Sequence, residues 1–468
     1  MQHFPEGFGR RPGRRLSPRD MVDSGLCVGC GACASMHDGG GMEWDSDGFL
    51  KPSGTPQWYG ARKLSFGRTC PMAPIAPDED SIAYREFPEA PTDDHAIGRF
   101  EAAYVGHAAQ ADYRAQGSSG GLVSWVAAQL LESGAVDGVA HVVPADPTRG
   151  RLFEYRISRT ADQLRQGAKS RYYPVDLSAV LREVRAVEGR YAIVGVPCFI
   201  KAVRLLQRAE PMLRERIGFT LGIFCGHMKS RHMVESFAWQ LSTELGNVCA
   251  LDFRLKDPSR PANWYRAQLE LADGSAATQD WWHLADGDWG AGFFQNPACD
   301  FCDDVVAETA DIAFGDAWVE PYSSDGRGTN VMVVRSKALH ALIRRGIEHG
   351  QLSLEQVDAE FVQATQAAGL RHRRQGLAYR LTWWRRGVVP RKRVDPNSAL
   401  PLRRKLVYRL RFAIARQSHR AFRLARVLNA PAIYILWARV MLRLYQSVTW
   451  SRGRLGKWLD YFLPRPEL

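Results

Sequence analysis

The sequence predicts an α/β fold with a mainly parallel sheet as the body of the protein. Short continuous apolar runs, such as "YAIVGVP" at 191–197, are typical of strands buried on both faces. Amphipathic segments of helical period follow these runs, and the strand-then-helix order recurs along the chain. A length of 468 residues exceeds one ordinary core, so we expect more than one structural unit.

The individual elements begin after about Phe100. Apolar residues recur at intervals of three and four in 121–134, which predicts a helix that ends at Gly134. Further apolar runs predict the strands 138–143, 191–197, 217–224 and 330–335, and amphipathic runs predict the helices 199–209 and 336–350.

The net charge of +12 is unevenly distributed along the chain. From Arg371 to the end there are 24 Lys and Arg against 3 Asp and Glu, a net charge of +21, which leaves −9 for the first 370 residues. Such asymmetry indicates parts with different roles. We divide the chain into a basic leader (1–26), a cysteine-bearing N-terminal module with a Pro- and acid-rich linker (27–95), the α/β body (96–370) and a basic helical tail (371–468).

The cysteines are expected to be reduced. The first twenty residues lack the apolar segment of a signal peptide, which predicts a cytoplasmic protein. In a reducing compartment, spaced cysteines are more often metal ligands or catalysts than disulfides.

The stretch "CVGCGACAS" places three thiols at a strict interval, at Cys27, Cys30 and Cys33. Thiolates at this interval suit three corners of a [4Fe–4S] cubane, and small residues between them let backbone amides approach the sulfurs. Cys70 precedes a proline, as does the last cysteine of bacterial ferredoxin motifs, and is the candidate fourth ligand. A tetrahedral zinc site is the alternative.

A second set of four cysteines lies in the α/β body. Cys198 and Cys225 follow predicted parallel strands, at the sheet edge where ligands bind in open α/β folds. Cys299 and Cys302 form a C-x₂-C pair, so the four are a candidate second thiolate site, although Cys198 and Cys225 as buried apolar residues are the alternative. Cys249 has no partner motif and is interpreted as structural.

A Gly- and Ser-rich segment precedes the predicted helix at 121–134 and is a candidate phosphate site, because amides at a helix N-terminus attract anions. Its residues are Ser118, Ser119, Gly120 and Gly121. The segment "GAKSRYYP" adds Lys169 and Arg171 as candidate charge partners, the alternative being an exposed basic loop.

Two polar residues near the predicted strand at 330–335 are further candidates. Asp316 follows an apolar segment and Asn330 follows a Gly-rich loop, so either faces a cofactor or caps a turn.

Together these motifs resemble the beta subunit of coenzyme F420-reducing hydrogenase and its relatives, the F420-dependent dehydrogenase beta subunits and 7-hydroxymethyl chlorophyll a reductase. The resemblance covers roughly residues 22–350. It is carried, in order, by "CVGCGACAS…GRTCP", "GSSGGLVSWVAAQLLESGAVDGVAHV", "KSRYYPV", "VGVPCFIKAVRLL", "LGIFCGH", "CDFCDDVVAETADIAFGDAW" and "GTNVMVVRS".

The resemblance implies an iron–sulfur flavoprotein core, with a small N-terminal ferredoxin-like cluster module beside it. By that pattern FAD contacts the segment from Ser118 to Gly121, Lys169 and Arg171. The four body cysteines ligate a core [4Fe–4S] cluster, and the N-terminal four ligate a second one. The chain departs from the pattern in lacking a close fourth N-terminal cysteine and in its longer basic tail.

We therefore expect an oxidoreductase that moves electrons between a ferredoxin-like or F420-like carrier and an organic substrate, through two [4Fe–4S] clusters and FAD. His227, in "FCGH", is the candidate catalytic proton donor, and its alternative role is a hydrogen bond to a cluster sulfur. A non-catalytic electron-transfer subunit of a larger complex and a zinc-binding structural protein are the competing hypotheses.

The tail combines arginines with aliphatic and aromatic residues at helical intervals. Such segments lie on anionic lipid, which predicts peripheral contact with the inner membrane face. A protein partner is the alternative, and nucleic acid is disfavoured because no nucleic-acid fold motif accompanies the charge.

Overall fold

The computed structural model describes residues 15–146 and 150–463. Its N-terminal part is built from short elements. Ser17 caps the first helix, since its hydroxyl accepts from the Asp20 amide while the Asp20 carboxylate accepts from the Ser17 amide. The elements are α1 (Pro18–Asp23), α2 (Ala32–Ser35), β1 (Gly40–Trp44), β2 (Leu50–Gly54), α3 (Pro56–Gly60), α4 (Leu64–Thr69), α5 (Glu79–Glu86), β3 (Thr92–Asp94) and β4 (Gly98–Phe100).

This part differs from the expected leader and linker. Leu16 and Met21, placed in the leader, are buried in the largest apolar cluster, and residues 1–14 lie outside the described residues. The segment 73–95 contains α5, whose Glu79 is buried and pairs with Lys201 at 3.0 Å. A segment rich in proline and acidic residues, expected as a linker, is therefore packed against the body here, because its carboxylates form ion pairs with buried cations.

The α/β body follows. Its strands are β5 (Ala102–Ala108), β6 (Gly138–Pro144), β7 (Phe153–Ser158), β8 (Tyr191–Gly195), β9 (Ile217–Ile223), β10 (Val248–Asp252), β11 (Arg266–Leu271), β12 (Ala276–Asp280), β13 (Ile312–Asp316), β14 (Asn330–Val334) and β15 (Leu352–Val357). Its helices are α6 (Tyr113–Gln116), α7 (Leu122–Glu132), α8 (Ala161–Arg165), α9 (Ser178–Ala186), α10 (Pro197–Ala209), α11 (Pro211–Arg216), α12 (His232–Gln240) and α13 (Lys337–Glu348).

Eight strands form one sheet in the order β15-β5-β14-β13-β9-β8-β6-β7. The four central strands β13, β9, β8 and β6 run parallel, and the strands on both sides pair antiparallel. The sheet is therefore mixed, because β7 and β14 each return directly from the preceding strand without a crossover helix. Strand β8 is buried along its whole length, as its continuous apolar sequence predicts.

The C-terminal region is helical, as expected, and packs on the body. Its elements are α14 (Ala359–Thr365), α15 (Ala367–Arg373), α16 (Gln375–Leu381), α17 (Leu402–Val427), α18 (Pro431–Trp450) and α19 (Gly453–Phe462). Ile414, Phe422 and Tyr434 join an apolar cluster with Phe237 and Phe294 of the body. None of the described helices is long and apolar enough to be a membrane span.

Candidate functional site

The loop that carries Cys27, Cys30 and Cys33 depends on two glycines. Gly29 and Gly31 both adopt φ of +78°, a left-handed conformation that favours glycine. A Cβ atom on Gly29 would lie 2.4 Å from the Leu50 carbonyl oxygen, and one on Gly31 would lie 2.9 Å from the Asp176 carboxylate. The "CVGCGAC" spacing thus specifies a turn that packs directly on neighbouring backbone.

Four thiols gather at this turn. Cys70 directly follows α4, and burial together with the charge of nearby Cys27 raises the pKa of its thiol to about 12. Desolvation and the neighbouring cysteines likewise raise the pKa of Cys30 and Cys33. Several adjacent buried thiolates repel one another, so the set suits a metal centre, whose positive charge stabilises deprotonated thiols.

The second set of four also comes together, at the carboxyl ends of β8 and β9. Cys198 lies in the first turn of α10, and the Cys225 amide donates to the Val305 carbonyl at 2.9 Å. A 3₁₀ turn at Pro297–Phe301 brings in Cys299, whose sulfur accepts from the Met228 amide at 3.3 Å. Desolvation raises the pKa of all four thiols, and the charges of Cys225, Cys299 and Cys302 raise that of Cys198 further.

The two sets, here called the N-terminal quartet and the core quartet, are neighbours. Cys30 is among the charges that raise the pKa of Cys198, and the same apolar cluster contains Cys27, Cys30, Cys70 and Cys198. Among the described residues, no three or more Cys, His, Asp or Glu side chains are arranged as ligands of one metal ion.

The Gly- and Ser-rich segment leads into α7 as predicted. A Cβ on Gly121, which has φ of +79°, would lie 2.4 Å from Tyr113 backbone atoms, so the turn requires glycine. A Cβ on Gly120 would lie 2.7 Å from the Gly106 carbonyl. Ser118 accepts from the Ser170 amide at 2.9 Å, and Ser119 donates to the Thr329 carbonyl at 3.0 Å.

Cations surround this segment. Lys169 pairs with Asp252 at 3.0 Å, and the Arg171 guanidinium donates to the Leu251 carbonyl at 3.0 Å. Lys256 donates to the carbonyls of Arg114, Ser119 and Arg327, so it links the segment to α6 and to the loop that contains Arg327. Burial, together with Lys169, Arg254 and Arg114, lowers the pKa of Lys256 to about 7. A concentration of cations beside the N-terminus of a helix suits a phosphate-bearing ligand.

Asp316 and Asn330 have partners within the fold. Asp316 forms a two-point ion pair with Arg254, at 2.9 and 3.0 Å. The Asn330 side chain accepts from the Leu122 amide at 3.3 Å and donates to the Gly315 carbonyl at 2.9 Å. Asn330 therefore caps the first amide of α7 and joins it to β13.

Aromatic rings connect the core quartet to this cationic segment. His227, two residues after Cys225, stacks on Trp289 with ring centroids 4.4 Å apart, and Trp289 lies 4.8 Å from Tyr172. The Tyr172 hydroxyl interacts with the side chains of Ser170 and Arg254. These rings thus form a series of contacts from the Cys225 loop to the cationic segment.

His227 is buried and neutral, because desolvation and the nearby cations Lys229, Arg411 and Arg373 hold its pKa well below the usual range. Arg411 lies 3.3 Å from Nδ1, and an arginine only donates, so Nδ1 accepts and the proton resides on Nε2. That Nε2 is buried without a partner among the described residues, and is therefore a free donor inside the protein.

Two family models match the chain: the coenzyme F420 hydrogenase/dehydrogenase beta subunit N-term at residues 103–182, and its C terminus at residues 188–360. The two matches together span more than half of the chain. The chain belongs to the coenzyme F420 hydrogenase/dehydrogenase beta subunit family. Membership places it among oxidoreductase and electron-transfer subunits.

Two known proteins are similar to parts of this chain. The coenzyme F420-dependent sulfite reductase of Methanocaldococcus jannaschii is 26% identical over an alignment of 220 residues, and the match covers 44% of this chain and 31% of the relative. The chain thus matches about a third of that relative's length. A structure titled as the F420-reducing [NiFe] hydrogenase complex from Methanosarcina barkeri covers 62% of this chain and 94% of its own, with 17% identity and a TM-score of 0.48.

The family models include the core quartet and the Gly- and Ser-rich segment, but the N-terminal quartet and everything after residue 360 lie outside them. Sequence reasoning missed Arg254 and Lys256, whose only signal is two basic residues directly after β10. It also missed Arg373, which contacts the core quartet and had been placed in the basic tail.

Proposed function

We propose that this protein is an iron–sulfur flavoprotein oxidoreductase, which transfers electrons between a ferredoxin-like or F420-like carrier and an organic substrate. The observation that supports it is the arrangement of two neighbouring cysteine quartets, of which the core quartet connects through aromatic rings to the cationic segment. The family membership supports an oxidoreductase independently of this geometry.

The residues fit the proposed cofactors. Each quartet offers four sulfurs, the donor set that iron–sulfur clusters use. Ser118 to Gly121, with Lys169, Arg171, Arg254 and Lys256, would bind the pyrophosphate of FAD. When bound, FAD supplies the exchange between paired electrons of an organic substrate and single electrons of the clusters.

The protein's own residues would orient these groups and exclude water. His227, two residues after Cys225, has a buried Nε2–H without a partner among the described residues, and we propose a hydrogen bond to a cluster sulfur as its role rather than proton transfer to a substrate. Trp289 and Tyr172 would lie between a cluster held by the core quartet and a flavin held by the cationic segment, where their packed rings would exclude water.

The test is the iron, acid-labile sulfide and flavin content of the full-length protein purified without oxygen. We expect about eight irons per chain for two cubanes, and about one flavin. The variant Cys30→Ser should lose about half of the iron, and Cys225→Ser the other half. Cys249→Ser is the matched control, because Cys249 is an exposed cysteine outside both quartets, and it should keep all of the iron.

Different outcomes contradict different parts of the proposal. Wild-type protein with one or two zinc ions and no iron would show a structural zinc protein. Clusters without flavin would favour a subunit that passes electrons to a partner's active site. Iron loss in Cys249→Ser would refute the assignment of the quartets.

A basic face beside the N-terminal quartet is the proposed docking surface for the ferredoxin-like carrier. Exposed Arg19, Arg62, Lys63 and Arg68 lie on or next to α1, α3 and α4, which surround the partly exposed Cys27. Such a face attracts an acidic redox protein, so the rate of reduction by ferredoxin should fall steeply with ionic strength. The variant Lys63→Glu should slow it further, and no salt dependence would contradict this docking surface.

The tip of the α17–α18 hairpin is the proposed lipid contact. Val427, Leu428 and Leu436 are exposed there, together with Arg426 and Arg439. Apolar side chains flanked by arginines suit an anionic bilayer surface. The protein should sediment with phosphatidylglycerol vesicles and remain free of phosphatidylcholine vesicles.

A matched pair of substitutions tests the lipid contact. Leu436→Glu should abolish sedimentation, whereas Leu402→Glu, at an exposed leucine on the opposite end of α17, should not. Equal sedimentation of the two variants would show that the hairpin tip is not the contact. If a protein that binds the hairpin tip prevents the sedimentation with vesicles, the tip is instead a surface for a protein partner.

A further inference from the structure

Arg373 lies against the core quartet although it is far from it in sequence. It ends α15, beyond residue 360, where the family models stop. Its side chain is 1% exposed. The guanidinium donates to the carbonyls of Gly226, Cys299 and Cys302, so one side chain fastens both loops that carry three of the four cysteines.

This guanidinium has no carboxylate partner in the described part of the chain, and its Nε is buried without a hydrogen bond. The charged side chains Arg380 and Arg411 are also near Arg373, and both are cations. A buried cation is stable only beside a compensating negative charge. The nearest such charge is that of the cysteines themselves, whose influence raises the pKa of Arg373 above its usual value.

We propose that Arg373 is a positioning residue that raises the reduction potential of the core cluster. This inference rests on the proposed function. A fixed positive charge next to a cluster stabilises its reduced form, which carries one more negative charge, and net charge is a principal determinant of cluster potential. The hydrogen bonds to three carbonyls hold that charge in place, and the low-dielectric surroundings strengthen its effect.

The test uses full-length protein purified without oxygen, with iron analysis and an EPR-monitored redox titration of both clusters. Arg373→Met removes the charge at similar length, and Arg373→Lys keeps the charge but loses the planar fork of donors. Arg386→Met is the matched control, since Arg386 is an exposed arginine of the same region. The N-terminal cluster in each sample serves as an internal reference.

We expect Arg373→Met to lower the reduction potential of the core cluster by at least about 59 mV relative to that of the N-terminal cluster. This shift is a tenfold change of the one-electron equilibrium toward the oxidised form. Arg373→Lys and Arg386→Met should stay close to wild type. If Arg373→Met fails to retain core iron, Arg373→Lys decides: a potential near that of wild type supports the charge effect, and a lowered one overturns it.

An unchanged core potential in iron-replete Arg373→Met would also overturn the inference, while leaving the proposed function intact. Wild-type protein without iron would instead refute the proposed function, and this inference with it. The iron analysis therefore separates the two failures.

Discussion

Replacing Gly29 with alanine should disable the N-terminal quartet while sparing the core quartet. A left-handed φ of +78° costs a non-glycine residue about 1–2 kcal/mol. The added Cβ would also lie 2.4 Å from the Leu50 carbonyl oxygen, a backbone atom of β2 that cannot move without shifting the strand. Overpacking of this kind adds about 1–3 kcal/mol, so we expect about 2–5 kcal/mol in total.

The assay for Gly29→Ala is thermal unfolding of the apoprotein, followed by iron analysis of protein purified without oxygen. We expect a lower unfolding temperature and a fall from about eight to about four irons per chain, with the core cluster's EPR signal retained. Gly60→Ala is the matched control, because a Cβ on Gly60, in the adjacent α3, meets nothing within 4 Å. Full iron content in Gly29→Ala, or equal losses in both variants, would refute the reasoning.

Three further predictions follow from buried groups. The affinity for FAD should fall by at most about tenfold per pH unit above about pH 7, because Lys256 loses its proton there and bound phosphate favours the charged amine. The variant Lys256→Met should bind FAD about 10–100-fold more weakly at pH 6, and its affinity should depend less on pH. Trp289→Leu should slow electron transfer between core cluster and flavin in stopped-flow experiments, with iron and flavin contents unchanged; an unchanged rate would exclude this route. Lys201→Met should lower the free energy of unfolding by about 3–5 kcal/mol in denaturant, since it leaves Glu79 buried with weaker compensation. Lys337→Met, at an exposed ion pair, should leave the free energy of unfolding close to that of wild type.

Much of the central sheet was predictable from local patterns. The strands β6, β8, β9 and β14, and the helices α7, α10 and α13, occur close to the predicted ranges, because continuous apolar runs and 3.6-residue periods are local signals. The flanking strands β5, β7 and β15 and the central strand β13 were missed. Strand β15, for example, alternates exposed and partly buried residues, and its place beside β5 depends on a chain return that no local period encodes.

The candidate site divides in the same way. The N-terminal quartet was predicted as a set from its cysteine spacing, and the core quartet from strand ends and a C-x₂-C pair. The role of both quartets as metal ligands stays a prediction. Arg373 and Arg380 were placed in a basic tail, because composition counts their charge but does not show that each is 1% exposed. That Asp316 and Asn330 contact a cofactor stays a prediction. In the structure Asp316 forms an ion pair with Arg254, and Asn330 caps α7.

Local sequence indicates which cysteines can be metal ligands, where the loops turn and which segments form most of the central strands. These depend on neighbours within a few positions: a cysteine interval, a glycine that permits a left-handed turn, an apolar run. The packing of the whole chain places the two quartets next to each other, brings Trp289 against His227 near Cys225, and sets Arg373 against the loops of the core quartet. The physical reason is that such contacts join segments tens to hundreds of residues apart, and the packing of the whole chain selects them.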